Sequence, residues 1–308
     1  MHKKKIGVAL TALLLAAAIP CVGAPRQKKA KEKPRVTLSK NDSTILTFDV
    51  EYQASTDMPA PATGQIRIYL YPEANLRDIR RNFRNLVQAQ AYDSVLFHRV
   101  VPDFVIQAGD PKSKKAEPGA MLGDGGAEGT GIAPMPFVGG QLFENPARVH
   151  KYGAVAIARS GDQGNLDRTG SSSQFYIVTA DRKYKPQQLG AMAADRRYQY
   201  MNVLGQFAGS QENAQRLFPK MYPKAAGTIS DEACEVYRTV GGAPFLDEDY
   251  TVIGEVVGGM DIAKAIEQLP ADHNSRPTGY ARILKVTYSG PEISDADAVE
   301  ALGAARKK

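Results

Sequence analysis

From Thr44 to Tyr52 the apolar residues Leu46, Phe48, Val50 and Tyr52 alternate with Thr47, Asp49 and Glu51, the period of a strand with one buried face. After a proline-rich loop ending at Gly64, Ile66, Ile68 and Leu70 alternate with Gln65, Arg67 and Tyr69, which predicts an antiparallel partner strand. The period then lengthens. Pro72 suits a first helical turn, and Leu76, Ile79, Phe83, Leu86 and Val87 recur at helical spacing to about Gln90. Short apolar runs follow at 95–100, 104–108, 153–158, 175–179, 251–257 and 283–288, separated by loops rich in glycine and proline, with a helix predicted over 260–269. About eight strands, two well-separated helices and no regular strand–helix alternation predict a mainly β fold, a closed barrel rather than a doubly wound sheet.

The segment 184–243 interrupts this pattern. It is rich in Ala, Gln, Arg and Lys, with Tyr and Met interleaved, and it reads as a largely helical insertion on the barrel surface before the strand pattern resumes at Phe245. At the other end, Lys3, Lys4 and Lys5 precede an apolar run from Ile6 to Ile19 and small residues around Val22, Gly23 and Ala24. The run is shorter than the roughly 20 residues a spanning helix needs, so it reads as a signal peptide rather than a membrane span. The expected organisation is a leader over 1–24, a basic linker over 25–43, one domain over 44–290 carrying the insertion, and a tail over 291–308. Export places the protein in the periplasm or cell envelope. Cys21 ends the apolar run, but Pro20 stands where a small residue is wanted before a lipidated cysteine, so the spacing favours a cleaved leader over a lipid anchor.

Charge and composition remove several classes of function. The chain carries a net +6, but residues 1–35 alone hold nine Lys or Arg and one Glu, a net +8, which leaves −2 for the remainder. The basic stretch from Arg26 to Arg35 is therefore a solvated tether, and no nucleic-acid partner is expected. Four histidines without paired spacing and two cysteines predict no metal and no cofactor. If Cys21 leaves with the leader, Cys234 has no partner for an internal disulfide. The glycine-rich run Gly123–Gly131 lacks the Lys-Ser/Thr of a phosphate-binding loop and reads as a flexible connection, and Ser171–Ser173 have no nearby histidine to activate them.

The chemistry concentrates between Phe97 and Asp110. Arg99 and Gln107 lie on two short strands joined by a tight Pro102-Asp103 turn, so a hairpin brings both to one surface with Phe104 as an apolar wall between them. His98 neighbours Arg99 but points to the other face, as a structural residue. The sequence Phe97-His98-Arg99-Val100-Val101-Pro102-Asp103-Phe104-Val105-Ile106-Gln107-Ala108-Gly109-Asp110 resembles the cyclophilin signature. The blocks Ser171–Thr179 and Tyr250–Val256 resemble two later strands of that family, in the right order.

The resemblance covers about residues 44–290. It implies a closed eight-stranded antiparallel barrel capped by two helices, and a peptidyl-prolyl cis-trans isomerase acting on proline-containing unfolded or extended polypeptides. It assigns Arg99 as the donor to the twisted prolyl nitrogen, with Gln107 steadying the substrate backbone or Arg99 itself. Phe104, Val105, Tyr176, Phe245, Leu246 and Tyr250 fall at the proline pocket and its rim, and Ala158, Arg159 and Gln174 where the preceding peptide is held. Val105, Tyr176, Phe245, Tyr250 and Arg159 depart from the family's commoner methionine, phenylalanine, tryptophan, histidine and asparagine. The contact made by that asparagine is largely through its backbone, and the missing indole at Phe245 counts against cyclosporin-type inhibition. The alternative is a peptide-binding chaperone or interaction module that kept the groove and lost turnover.

Overall fold

The computed structural model describes residues 44–290 apart from 55–59, 118, 128–133, 137, 139–147, 162–164, 166–167 and 222–228. The expected leader, basic linker and C-terminal tail lie outside the described residues. Eight strands form one sheet there: β1 (Thr44–Gln53), β2 (Ala62–Leu70), β3 (Phe97–Val101), β4 (Val105–Ala108), β5 (Ala154–Ile157), β6 (Phe175–Val178), β7 (Val252–Gly258) and β8 (Tyr280–Ser289). Their order is β3-β4-β6-β5-β7-β2-β1-β8, and every pair is antiparallel. The two ends of that order meet just before β3. Leu96 bridges Arg282, the Ser94 N–H donates to the Ile283 carbonyl at 2.8 Å, and the Ile283 N–H donates to the Val95 carbonyl at 2.8 Å. The sheet thus closes into a barrel, and register shifts at Asp49/Val50 and Arg67/Ile68 help to bend it.

The two-residue period of the first strands is what fills the barrel. Leu46, Phe48 and Val50 from β1 and Ile66, Ile68 and Leu70 from β2 are all buried, each contributing roughly 1.5–3 kcal/mol by leaving water. Phe48 packs against Phe175 with ring centroids 5.4 Å apart, and Tyr92 lies edge-on to Phe175 while its hydroxyl donates to the Ser173 carbonyl at 2.9 Å.

Five α-helices accompany the sheet among the described residues: α1 (Arg77–Gln88), α2 (Pro186–Ala208), α3 (Gln211–Met221), α4 (Asp231–Thr239) and α5 (Met260–Glu267). Helix α1 buries Ile79, Phe83 and Leu86 against the barrel. It starts later than the sequence predicts, after a 3-10 turn at Ala74–Leu76 rather than at Pro72. The reason lies outside the helix: the Tyr71 N–H donates to the Ile253 carbonyl at 2.9 Å, and the Arg80 guanidinium donates to the carbonyls of Tyr71 and Glu73 at 2.6 and 2.9 Å. The chain is held extended there until Glu73. No helix among the described residues is long and apolar enough to cross a membrane.

Helices α2, α3 and α4 all lie within residues 184–243. Tyr184, Leu189, Ala233, Cys234 and Tyr237 form a small core of their own with Val149 of the barrel side. The segment leaves and rejoins the barrel at one place, where Gly241 and Gly242 adopt φ of +86° and +141°. A side chain on Gly242 would place its Cβ 2.2 Å from the His150 carbonyl oxygen, so only glycine lets these strands of chain approach.

Helix α5 supports the β3–β4 hairpin through Glu267, which is wholly buried. Its carboxylate accepts hydrogen bonds from the Asp103 N–H at 2.7 Å, the Thr179 hydroxyl at 2.8 Å, the Gln268 amide at 3.0 Å and the Lys264 ammonium at 2.5 Å. Burial works to raise its pKa, but the hydrogen bonds from Lys264, Thr179 and Gln268 outweigh it and hold the carboxyl below its ordinary value. A carboxyl lowered on folding contributes its stability in full above the unfolded value of about 4.3, and loses it as pH falls through the lower folded value. Glu267→Ala is expected to lower the unfolding free energy at pH 7 by about 3 kcal/mol, because it leaves the buried Thr179 hydroxyl and the hairpin N–H of Asp103 without their acceptor. Urea unfolding of both proteins checks this, and the difference between them should shrink as pH falls below about 4.

Candidate active site

Cross-strand register places Arg99 opposite Gln107, Gln107 opposite Tyr176, and Tyr176 opposite Ala156, so β3, β4, β6 and β5 contribute one row to one face of the sheet. Phe104 stands at the hairpin tip, after Asp103 with φ of 52°. Its carbonyl accepts the N–H groups of Thr179 and Ala180 at 2.9 and 3.2 Å, which fixes the tip to the end of β6. The Phe104 ring meets that of Phe245 at 5.4 Å, tilted by 34°. Phe245 is 48% exposed on a 3-10 turn at Pro244–Leu246, whereas Leu246 beside it is buried in the core. Val105 and Tyr176 are buried too, and Tyr250 packs edge-on to Tyr176 at 5.8 Å.

Arg99 is half-buried, with its guanidinium carbon 5.8 Å from the Phe104 ring centroid. Among the described residues it makes no hydrogen bond or ion pair through its side chain. Burial pulls its pKa below the ordinary arginine value, while Tyr250 acts in the opposite direction. A guanidinium stays protonated through such a change, so its donors are partly stripped of water and are not committed to a carboxylate.

Gln107 does not meet Arg99, one of the two roles expected of it. Its amide donates instead to the Gln174 side-chain oxygen at 3.0 Å, and the Gln174 amide donates to the carbonyls of Gly123 and Gly125 at 2.9 and 2.5 Å. Asp110 holds the same loop by accepting the Gly123 N–H at 2.6 Å and the Gly125 N–H at 3.4 Å. The glycine run is therefore pinned at its start, and its last residues, 128–131, lie outside the described ones. Beyond Gln107 and Gln174 the surface opens into a cavity bordered by Ala158, Arg159, Gly125 and Ser171. The Arg159 side chain folds back onto the rim: its Nε donates to the Asp249 carbonyl at 2.7 Å, and its guanidinium lies 4.6 Å from the Tyr250 ring centroid. His98 is buried on β3, and that burial pushes its imidazole down to about 4, so it is neutral at physiological pH.

Three residues of this region carry no mark in the sequence: His150, Asp247 and Tyr237. The Tyr176 hydroxyl lies 2.9 Å from His150 Nε2, and His150 Nδ1 lies 2.7 Å from Asp247 Oδ1. Asp247 Oδ2 accepts the Tyr237 hydroxyl. The only hint in the chain is that single polar residues sit beside apolar ones, as Asp247 follows Leu246 and His150 follows Val149. No group of three or more His, Cys, Asp or Glu is placed to hold a metal among the described residues.

The barrel thus carries a partly desolvated arginine beside an aromatic wall, continued by an amide-lined cavity. Residues 55–218 and 220–288 match the family model of the cyclophilin type peptidyl-prolyl cis-trans isomerases, and the chain belongs to that family. It is 26% identical over 251 residues to the peptidyl-prolyl cis-trans isomerase CYP71 of Arabidopsis thaliana, covering 80% of this chain but only 27% of that protein. It is also 26% identical over 217 residues to a Staphylococcus aureus (strain USA300) protein provisionally named a peptidyl-prolyl cis-trans isomerase, covering 70% of this chain and 81% of that one. A crystal structure of a cyclophilin type peptidyl-prolyl cis-trans isomerase from Cryptosporidium parvum aligns with a TM-score of 0.47 at 14% identity, over 81% of this chain and 99% of that one.

Proposed function

We propose that this isomerase acts on X-Pro bonds of unfolded or extended polypeptides in the periplasm or cell envelope, with Arg99 as the catalytic group and no metal or cofactor. The observation that carries the assignment is the uncommitted, half-buried guanidinium beside the Phe104–Phe245 wall. Rotation about a peptide bond meets a barrier of roughly 18–20 kcal/mol because conjugation must be broken, and uncatalysed X-Pro exchange takes tens of seconds or more. In the twisted amide the prolyl nitrogen regains its lone pair and can accept a hydrogen bond that the planar amide cannot. A donor from Arg99 aimed at that nitrogen binds the twisted form better than either planar isomer, which is the condition for catalysis. Phe104, Phe245 and Tyr176 seat the prolyl ring, and Gln107, Gln174, Ala158 and Arg159 border the path of the preceding residues.

The leader supports an exported form, with residues 25–43 as a basic tether to the barrel and the inserted segment on its side. Fractionation of cells with N-terminal sequencing of the mature protein tests the location, including any lipid on Cys21. The activity is tested by NMR exchange spectroscopy on a short X-Pro peptide. Catalytic amounts of protein should bring interconversion far below the tens of seconds of the free peptide. A folded protein that binds the peptide without accelerating exchange would be an interaction module instead.

A further inference from the structure

We propose that the inserted segment reaches into the proline pocket through Tyr237, which together with Asp247 and His150 positions Tyr176. The inference rests on the reading of the groove as the prolyl site. Tyr237 belongs to α4 of the insertion, Asp247 to the turn after Phe245 and Leu246, His150 to the chain just before β5, and Tyr176 to β6. All four side chains are buried, His150 and Tyr237 completely. The carboxylate oxygen Oδ1 of Asp247 accepts both the backbone N–H of His150 at 2.9 Å and its ring at 2.7 Å, so Nδ1 carries the proton there. Nε2 is then the acceptor of the Tyr176 hydroxyl at 2.9 Å, and the Tyr237 hydroxyl donates to Oδ2. Every link in this chain has a donor matched to an acceptor.

The ring of Tyr176 is what the chain positions. It lies in the cross-strand row of Arg99 and Gln107, it stacks on His150 at 6.0 Å with planes 16° apart, and Tyr250 meets both rings edge-on. A phenylalanine here would need only packing, whereas the tyrosine hydroxyl must be satisfied once buried. The structure satisfies it with a relay that ends on the insertion. The same stretch, Phe245 to Asp247, supplies both the exposed aromatic of the groove and the carboxylate of the relay, so a shift of α4 moves Asp247 and with it the seat of the prolyl ring. Tyr237, Asp247 and His150 are positioning residues, none of which touches the amide being twisted.

A seat that holds the ring equally in the planar and twisted states acts on binding rather than on the chemical step. Tyr237→Phe, Tyr176→Phe and the double variant are compared with wild type by peptide exchange kinetics and thermal melts. Tyr237→Phe is expected to raise KM about 5-fold with kcat within about 2-fold, and the double variant to be no worse than Tyr176→Phe alone, because the two bonds lie in series and without the Tyr176 hydroxyl the chain no longer holds the ring. An unchanged KM in a protein that melts as wild type, a fall in kcat alone, or losses that multiply in the double variant would each overturn the proposal. If Tyr237→Phe does not fold, His150→Gln cuts the relay from the pocket side and is read in the same way. If wild type binds the peptide but does not turn it over, the catalytic reading fails by itself, and the same four proteins test the relay through the Kd of that peptide.

Discussion

Replacing Arg99 by alanine is expected to lower kcat/KM for a short X-Pro peptide by about 10²–10³-fold, the usual cost of removing one donor aimed at charge that develops only in the transition state. The loss should appear in kcat. The planar substrate offers its nitrogen no lone pair to accept from Arg99, so ground-state binding draws on the aromatic wall and the amides instead. The fold should not register the change, because the Arg99 side chain makes no hydrogen bond or ion pair among the described residues, and its partial burial costs solvation rather than supplying it. A melting curve like that of wild type, with kcat lowered about 10²–10³-fold, is the expected pair of results. Arg99→Lys should recover little, since an ammonium on a flexible stem neither packs beside the Phe104 ring as a flat guanidinium does nor keeps a fixed donor direction. Retention of more than about a tenth of wild-type turnover in Arg99→Ala would remove Arg99 from the mechanism.

How far the sequence anticipates this site follows from how local each contact is. The pairing of Arg99 with Gln107 depends on a hairpin of a few residues, and the alternation of Leu46, Phe48 and Val50 depends on one strand's own geometry. Both are legible. Barrel closure depends on Leu96 meeting Arg282, and the delayed start of α1 on Tyr71 meeting Ile253, contacts between distant stretches whose residue types carry no complementary mark. The clamp of Gln174 on the glycine loop was hidden for another reason: its acceptors are the carbonyls of Gly123 and Gly125, which every residue possesses. The relay from Tyr176 to Tyr237 combines both difficulties. His150 and Asp247 are far apart in the chain, and a lone histidine or aspartate has no spacing to read. The hairpin puts Gln107 across from Arg99, yet its amide donates to Gln174 rather than meeting Arg99, because strand register fixes a side chain's face and its neighbours fix its direction.

Phe104→Ala should produce the second large effect, a fall in kcat/KM of about 10–100-fold, carried mainly by KM. The estimate follows from removing an apolar surface that buries the prolyl ring, worth roughly 1.5–3 kcal/mol for a full aromatic side chain, with every 1.4 kcal/mol a factor of ten. The Phe104–Phe245 pair at 5.4 Å also breaks, so the remaining half of the wall loses its neighbour and exposed Phe245 is free to change rotamer. Stability should change far less than for a core phenylalanine. The hairpin tip is held by backbone bonds, from Thr179 and Ala180 to the Phe104 carbonyl and from Asp103 to Glu267, and none of these needs the ring. Phe104→Leu separates the contributions: it restores apolar area but not a flat face, and is expected to recover part of the KM while leaving Arg99 without its aromatic neighbour. The measurement is exchange kinetics across peptide concentration, alongside a urea titration. Should Phe104→Ala lose stability in proportion to activity, the ring would be a packing residue of the tip, and the proline seat would have to be drawn from Tyr176 and Tyr250 alone. Should KM rise in a protein as stable as wild type, the hairpin is a backbone scaffold whose apex side chain is left over for the substrate, and that division explains how one five-residue strand and one four-residue strand, β3 and β4, hold Arg99 and the wall in fixed relation without spending either on the fold.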